Sequence, residues 1–298
     1  MRKNVRGDDL KNVLFDIWGA LLKVFEDIII YEGYNKGSFF KGGSAMHITL
    51  WFSAAKTRAE GAYIRVPRSN LHLFQSLIYN VLPPDRAAFL HEEGYSVHGR
   101  RMKLFAMSWP IAASVPTFEE KTIRFPLPIR LVVSTPVTDT LDGVAGGALS
   151  SGELRVGSSM VRCERVEAEQ QRVEGESLTV RTLSPITCYD QTERGGKPYT
   201  VYFAPEDREF AVSVHKNLER KFRALYPGRE VPAGRVSIEP IGKVHPQMAR
   251  FNADSSFPIK GWTGCFRLEG PGELLQVALD CGIGAKNSAG WGCVTKEG

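Results

Sequence analysis

The sequence predicts an α+β fold of two tandem ferredoxin-like (RRM-like) domains, each with the element order β-α-β-β-α-β. Two observations predict this fold. Strand-like and helix-like segments follow one another in this order twice, and 43% of the 298 residues are apolar, which is enough to bury a large core. We expect an N-terminal domain over residues 46–170 and a C-terminal domain over residues 171–298, preceded by an extension over residues 1–45.

The extension lacks the pattern of either domain. It consists of one amphipathic stretch and a turn-rich segment, and the strand-like sequence HITLWF begins only after Met46. We therefore expect Met46 to be the true start, with a native extension or an engineered leader as alternatives. Charged residues interrupt the apolar run that starts at Val13, so neither a membrane span nor a clean signal peptide is expected.

In the first half, a strand over residues 46–53 precedes a helix that begins after Ser69 or Asn70 and ends at Pro83. Asp85 is expected to cap a second short helix, which stops at Gly94. Strands are then predicted over residues 102–109, 129–135 and 159–168, with a helical or loop segment over 137–150 between the last two.

The second half repeats the theme. Strands are predicted over residues 177–187 and 199–203, followed by a helix that Pro205 opens and Pro227 ends. Two further strands over residues 234–242 and 257–270 precede a helix over 271–281 and a short last strand over 291–296.

Composition limits the possible chemistry. The formal net charge of +5 is compatible with a polyanionic partner, and the five cysteines form no CxxC pair, which is typical of reduced thiols in the cytoplasm. The histidines form no HxH or HExxH pair and the carboxylates form no DxD cluster. We therefore expect no metal site and no cofactor.

The stretch DCGIGAKNSAGWGCV, from Asp280 to Val294, carries two GxG pairs that flank Lys286. Its spacing, and its position after a helix and before a strand, fit neither a P-loop nor a dinucleotide-binding fingerprint. From the residues alone, a tight turn with a bulge is favoured over a loop whose backbone amides hold a phosphate.

Residues 259–294 resemble the C-terminal signature of the CRISPR-associated endoribonucleases that process precursor CRISPR RNA, in the superfamily of repeat-associated RNA-binding proteins. The hallmark is a helix followed by GxGxKNSxGxG, which this sequence contains from Gly282 to Gly292. The resemblance continues in LFQSLIYNVL, FLHEEGY, KLFAMSW, SPIT and NLERKFRALYPG, so it extends from Met46 to the C-terminus.

The resemblance implies cleavage of precursor CRISPR RNA within its repeats without a metal ion. The ribose 2′-hydroxyl attacks the adjacent phosphate and leaves a 2′,3′-cyclic phosphate, or its opened form, and a 5′-hydroxyl. This step needs a base, an acid and a cation for the phosphorane. The family's catalytic positions correspond to Tyr79, His91 and Lys103.

Each of these three residues has an ordinary structural alternative. Tyr79 could be a packing tyrosine, His91 a surface histidine and Lys103 a solvated strand end. The spacing from His91 to Lys103 is longer than in compact members of the family, so the role of Lys103 could fall in part to other residues between them. These residues are His98, Arg100 and Arg101.

The resemblance also implies contacts to CRISPR repeat RNA, and leaves open subunits of an effector complex and a second copy of the chain as further partners. The expected RNA-binding residues are Arg100, Arg101, Lys260, Gly282, Gly284, Lys286, Asn287, Ser288, Gly290 and Gly292. The main alternative is a subunit that binds repeat RNA without cleaving it, and a third possibility is a metal-dependent nuclease.

Overall fold

The computed structural model describes residues 46–55, 63–255 and 257–297. The expected start at Met46 concerns the preceding residues, which lie outside this range. In chain order the strands are β1 (Met46–Ala54), β2 (Tyr63–Pro67), β3 (Tyr95–Val97), β4 (Arg100–Met102), β5 (Ala106–Met107), β6 (Ile111–Ala112), β7 (Thr117–Phe118), β8 (Thr122–Pro126), β9 (Ile129–Thr135), β10 (Leu154–Val156), β11 (Ser159–Gln170), β12 (Ser177–Thr182), β13 (Tyr189–Arg194), β14 (Lys197–Tyr202), β15 (Ser237–Ala249), β16 (Ile259–Glu269) and β17 (Val294–Lys296).

The helices alternate with these strands. They are α1 (Leu71–Val81), α2 (Pro84–Ala88), α3 (Thr138–Ser150), α4 (Arg208–Leu225) and α5 (Gly272–Cys281). A π-helical turn, Phe89–Glu93, continues α2, and a 3₁₀ turn, Asn287–Ala289, lies between α5 and β17. None of the helices in the described part of the chain is long and apolar enough to cross a membrane.

The first sheet has the strand order β10-β11-β1-β9-β5, and β1 is antiparallel to both β9 and β11. This is the ferredoxin-like order, in which the first and third strands are central. Alternate residues of β1, namely Ile48, Leu50 and Phe52, are buried against the core that α1 and α3 cover. The period-two burial explains why this segment forms a central strand.

The second sheet has the order β15-β16-β12-β17. Its central strands, β12 and β16, are the first and third of these four strands in chain order. Helices α4 and α5 supply buried side chains to its core, among them Phe210, Phe222 and Leu275. The predicted α+β class with two ferredoxin-like strand and helix orders is therefore confirmed.

Several details differ from the sequence prediction. The predicted strand over 102–109 is wrong in extent, because only Ala106 and Met107 pair with β9. Leu104 has a φ of 53°, and its side chain is buried in the core of the second sheet, so the chain turns here from one core to the other. The strand predicted over 199–203 corresponds to β14. This strand pairs with β13 in a separate hairpin and does not belong to the second sheet.

The predicted helix starts are also corrected. Helix α2 begins at Pro84, so Asp85 lies in its first turn and is not the cap. Helix α4 begins at Arg208 after Asp207, whose carboxylate accepts a hydrogen bond from the Ala204 amide at 2.7 Å, and Pro205 precedes the helix. Sequence patterns place the interior of a helix better than its ends, because the end depends on local hydrogen bonds.

Candidate functional site

The structure brings together the three side chains that the resemblance predicts as catalytic. Tyr79 lies near the end of α1, His91 in the π-helical turn, and Lys103 directly after β4. The rings of Tyr79 and His91 meet edge to face with centroids 6.2 Å apart, and the Lys103 ammonium lies 5.7 Å from the Tyr79 ring. A phenol, an imidazole and an ammonium group therefore form one cluster.

Lys103 is held in this cluster by the carbonyl end of the π-helical turn. Its Nζ donates hydrogen bonds to the carbonyl oxygens of Leu90 and of His91, the latter at 3.0 Å. Such carbonyls have no partner within a helix, so a lysine ammonium is well placed to satisfy them. Burial, followed by the charge of Arg101, lowers the pKa of Lys103. The ammonium is therefore fixed beside the histidine by the histidine's own backbone.

Tyr79 is half-buried, and its ring packs at 6.2 Å from the ring of Phe105. Burial raises the pKa of Tyr79 to about 12. The phenol is therefore protonated at neutral pH and can donate a hydrogen bond to a negatively charged ligand.

The side chain of His91 is exposed and lines a cleft of about 390 Å³. The cleft is bounded on one side by α1 and on the other by α2 and the π-helical turn. Its other lining residues are Gln75, Ser76, Tyr79, Asn80, Ala87, Ala88 and Glu92. A polar cleft with an accessible imidazole has the residues needed for proton transfer to a ligand that enters from solvent.

The alternatives to Lys103 lie in the hairpin of β3 and β4. The Arg101 guanidinium donates to the backbone carbonyl of Glu92 at 2.6 Å, and Arg100 lies close enough to Arg220 to lower the pKa of that guanidinium, second to the effect of burial. His98 is an exposed residue of the turn, with a φ of 47°. Among these residues, Lys103 is the one whose charged atom lies against the ring of Tyr79.

The glycine-rich stretch follows α5, and its four glycines, Gly282, Gly284, Gly290 and Gly292, all have positive φ values and are buried. A Cβ on Gly284 would lie 2.4 Å from the Thr187 carbonyl oxygen, and one on Gly292 would lie 1.9 Å from the Ile283 carbonyl oxygen. These two glycines are therefore required by the packing of the loop on itself and on the segment after β12.

Many of the backbone amides in this stretch already have partners within the protein. The amides of Ile283, Ala285, Gly290 and Gly292 donate to carbonyl oxygens of Gly292, Thr187, Asn287 and Pro185 at 2.8–3.1 Å. The buried Asn287 donates from its side-chain amide to Ile283 and Trp291 carbonyls at 3.1 and 2.9 Å. These four amides are therefore engaged within the protein, as in the tight turn that the residues alone favour, and Asn287 has a structural role in the loop.

Lys286 is the exposed cation of the stretch. It has a φ of 61°, and its Nζ lies 5.5 Å from the ring of Tyr189. Two residues later, the Ser288 carbonyl accepts a hydrogen bond from the Gln75 side-chain amide at 2.9 Å. Gln75 is one helical turn before Tyr79 and also lines the His91 cleft, so the glycine-rich loop lies directly beside that cleft.

Lys260 lies on β16. Its carbonyl accepts a hydrogen bond from the Thr187 hydroxyl at 2.7 Å, and its ammonium lies 4.7 Å from the ring of Trp262. Thr187 in turn accepts the Ala285 amide, so Lys260 is connected to the loop through one residue. The roles of Lys260, Lys286 and the other predicted RNA-binding residues stay predictions.

Lys221 is not among the residues predicted from the sequence, although it contacts the glycine-rich loop. This residue of α4 is buried, and its Nζ donates to the carbonyl oxygens of Cys281, Gly282 and Gly284 at 3.1, 2.6 and 3.4 Å. It therefore joins α4 to the first turn of the glycine-rich loop. The sequence contains one indication of this role. Lys221 lies three residues after Leu218 on the apolar stripe of the helix, where a charged side chain needs buried hydrogen-bond partners.

Burial lowers the pKa of Lys221 to about 8, against 10.5 for an ordinary lysine. Between these values the unfolded chain binds more protons than the folded chain, so the stability that Lys221 contributes rises with pH. We expect the unfolding free energy of the wild type, relative to Lys221→Met, to increase by about 1–3 kcal/mol from pH 8 to pH 10. Denaturant unfolding at both pH values measures this difference.

The matched control is Lys216→Met, which changes an exposed lysine on the same helix. The difference in unfolding free energy between the wild type and Lys216→Met should stay constant from pH 8 to pH 10. If the difference for Lys221→Met is also constant over this range, the lowered pKa of the buried Lys221 is contradicted.

Comparisons with known proteins agree with this arrangement. The family model described as CRISPR associated protein Cas6, C-terminal, matches residues 167–296. A CRISPR-associated endoribonuclease Cas6 from Pyrococcus furiosus is 28% identical over 244 residues, which cover 78% of this chain and 84% of the relative. The CRISPR-associated endoribonuclease Cas6 1 from Methanocaldococcus jannaschii is 28% identical over 171 residues, covering 55% of this chain and 62% of the relative.

Solved structures show the same fold. The product of a Cas6-related gene from Pyrococcus furiosus superposes with a TM-score of 0.71 at 20% identity, covering 85% of this chain and 98% of that one. A RAMP protein described as binding different RNA substrates gives a TM-score of 0.68 at 22% identity, covering 85% and 100%. The sequence matches confirm the resemblance drawn from the sequence, and these structural likenesses confirm the fold.

Proposed function

We propose that this chain, as a member of the CRISPR-associated endoribonuclease family, cleaves precursor CRISPR RNA within its repeats by attack of a ribose 2′-hydroxyl on the adjacent phosphate. The observation that carries the proposal is the cluster of Tyr79, His91 and Lys103 in one open cleft. Two curated relatives named as CRISPR-associated endoribonucleases support the cleavage of CRISPR RNA, and the attack by the 2′-hydroxyl is what the resemblance implies.

In the proposed reaction the 2′-oxygen forms a bond to phosphorus while the bond from phosphorus to the 5′-oxygen breaks. The 2′-hydroxyl loses a proton and the departing 5′-oxygen gains one, so the products are a 2′,3′-cyclic phosphate, or its opened form, and a 5′-hydroxyl. His91 is the exposed group of the cleft that we assign to proton transfer. No metal ion takes part in these steps.

The other two groups stabilise charge. The Lys103 ammonium, which two backbone carbonyls hold in place, is assigned to the negative charge that develops on the phosphorane. The Tyr79 hydroxyl is assigned to a hydrogen bond with an oxygen of the reacting group, because with a pKa of about 12 it remains protonated. A fixed donor and a fixed cation need no reorganisation during the reaction.

The RNA is proposed to continue from the cleft over the glycine-rich loop. Lys286 and Ser288 contact it there, and Arg100, Arg101 and Lys260 add positive charge around this path. Subunits of an effector complex and a second copy of the chain remain predictions from the resemblance, and a cytoplasmic location remains a prediction from the cysteine pattern.

We expect Lys286→Gln to weaken binding of repeat RNA and to reduce the slope of log affinity against log salt by about 0.7, which corresponds to one lost phosphate contact on a single strand. Affinity titrations at several salt concentrations measure this slope. The matched control is Lys121→Gln, which neutralises an exposed lysine between β7 and β8, and it should leave the slope unchanged. An unchanged slope for Lys286→Gln would remove Lys286 from the RNA path.

The experiment that tests the function is incubation of repeat RNA with the wild-type protein in EDTA, followed by analysis of the product ends. Cleavage that leaves a 2′,3′-cyclic phosphate, or its opened form, and a 5′-hydroxyl is expected. Cleavage that stops in EDTA would identify a metal-dependent nuclease. Binding without any cleavage, with or without a divalent metal, would identify a subunit that only holds the RNA.

A further inference from the structure

A second pocket is lined in part by the glycine-rich loop, at Lys286 and Ala289. It has a volume of about 490 Å³, which is within the range for small-ligand pockets. We call it the tyrosine pocket and define it by Tyr189, Tyr202, Phe251, Phe257 and Lys286, which line it. Nothing in the proposed reaction uses it.

The hairpin of β13 and β14 supplies one wall of the tyrosine pocket. Tyr189 and Tyr202 are direct cross-strand partners, and their ring centroids lie 5.7 Å apart at an interplanar angle of 56°. The next pair on the same face, Gln191 and Thr200, also lines the pocket. This wall therefore combines π-faces with amide and hydroxyl groups, which can hydrogen-bond to the edge of a nucleobase.

The connection between β15 and β16 supplies the opposite wall. Phe257 is 83% exposed, although it is a large apolar side chain. The position of this connection is fixed at Phe251, whose carbonyl oxygen accepts the His72 amide at 3.1 Å and lies 3.0 Å from His72 Nδ1. An exposed aromatic ring on an anchored segment beside two tyrosines indicates a surface that an aromatic ligand covers.

Charge favours RNA as that ligand. Lys286 is the cation in the lining, and the lining side chains that the structure describes include no carboxylate. A ligand that places a flat ring between aromatic side chains and a negative charge on a lysine is a nucleotide of a single strand. A protein partner could pack against the aromatic rings, but it would need a carboxylate to pair with Lys286.

The tyrosine pocket is continuous with the proposed cleavage site. Lys286 and Ala289 line the pocket, and Gln75, which lines the His91 cleft, donates a hydrogen bond to the Ser288 carbonyl between them. The segment 286–289 therefore lies next to both cavities. A strand that crosses this segment enters both cavities.

We propose that the tyrosine pocket is a specificity site that takes one unstacked base of the repeat RNA, near the cleaved phosphate, while Lys286 contacts the phosphate of that nucleotide. This inference rests on the proposed function for the identity of the RNA. Recognition of a flipped base would give the protein a way to choose its cleavage position in RNA that has no stable structure.

A double-mutant cycle tests the proposal, with repeat RNAs that carry a single abasic nucleotide at each position around the cleavage site. For the wild type, one abasic position should lower the affinity about tenfold or more, as expected for the loss of one base–aromatic contact. Phe257→Ala and Tyr202→Ala should lower the affinity for intact RNA to a similar extent. Each variant should then lose little further affinity at that abasic position.

Phe257→Ala removes an exposed side chain, so it should leave folding intact. The matched control is Tyr199→Ala, since Tyr199 lies on the opposite face of the same hairpin and does not line the pocket. It should show the full abasic effect. The proposal is overturned if the losses of affinity from Phe257→Ala and from the abasic nucleotide are additive at every position. It is also overturned if Phe257→Ala changes the oligomeric state and shows no coupling to any abasic position, because a second copy of the chain would then be the occupant of the pocket.

The outcome is separable from that of the proposed function. Cleavage of intact RNA by the wild type in EDTA, combined with additive losses in the cycle, would refute the tyrosine pocket alone. Coupling in the cycle without cleavage would refute the nuclease and keep the pocket as a base-binding site.

Discussion

Replacing His91 with alanine is expected to reduce the single-turnover rate of RNA cleavage by about 10²–10⁴-fold, the usual contribution of a group that transfers a proton in the transition state. The affinity for repeat RNA should stay within about twofold, because a single exposed side chain contributes little to a contact surface dominated by phosphates. The rate is measured in EDTA with protein in excess over RNA, and the affinity by titration of the same RNA.

His91→Ala is expected to leave the surrounding structure unchanged. His91 is exposed, and the hydrogen bond that holds Lys103 goes to the His91 backbone carbonyl, which alanine keeps. His245→Ala is the matched control, since it removes an exposed histidine from the second sheet. Cleavage at the wild-type rate by His91→Ala would show that His91 does not transfer the proton.

Gly292→Ala is expected to lower the free energy of unfolding by about 2–5 kcal/mol, the sum of left-handed backbone strain and overpacking. Gly292 has a φ of 68°, and a Cβ there would lie 1.9 Å from the Ile283 carbonyl oxygen, a backbone atom that cannot move without moving the loop. Thermal and denaturant unfolding measure the loss, and binding of RNA should fall with the fraction of folded protein.

Gly146→Ala is the matched control for this effect. Gly146 lies in α3, and a Cβ there would meet nothing within 4 Å, so alanine should leave the protein equally stable or stabilise it by about 0.5–1 kcal/mol. If Gly292→Ala kept full stability and lost RNA affinity, the glycines would serve to approach a phosphate and not to pack the loop.

The order of the elements was predictable from the sequence because most of them have strong periodic patterns. Helix α1 shows the clearest case, since Phe74, Leu77, Ile78 and Val81 recur at helical spacing and Pro83 follows. The strand around Leu104 was not predictable in extent. Its apolar residues fit a strand, but Leu104 packs into the other core, and a pattern cannot tell which of two cores a side chain enters.

The candidate catalytic residues were predicted from the resemblance and not from their own spacing. Nothing local in the sequence places Tyr79 beside His91, and the cluster with Lys103 depends on three separate elements, namely α1, the π-helical turn and the segment after β4. Lys221 was predictable in principle, because a lysine on an apolar helix stripe needs buried partners. Its partners, the carbonyls of the glycine-rich loop, lie about 60 residues away.

The glycine-rich stretch has a packing role in the structure and a predicted contact with RNA. The resemblance connects the stretch with RNA, whereas the structure gives the glycines and Asn287 the task of closing the loop. Lys286 alone projects as an exposed cation towards the tyrosine pocket, whose two walls are separated by about 50 residues of sequence. That separation is why the pocket could not be predicted from the sequence.

The attack by the 2′-hydroxyl is tested with a repeat RNA that carries a single 2′-deoxy nucleotide on the 5′ side of the cleaved phosphate. The wild-type protein is expected to bind this RNA with unchanged affinity and not to cut it at that position, in EDTA or with magnesium, because the nucleophile is missing. Cleavage of the deoxy RNA at the same phosphate would exclude the 2′-hydroxyl as the nucleophile, since another group would then have to attack.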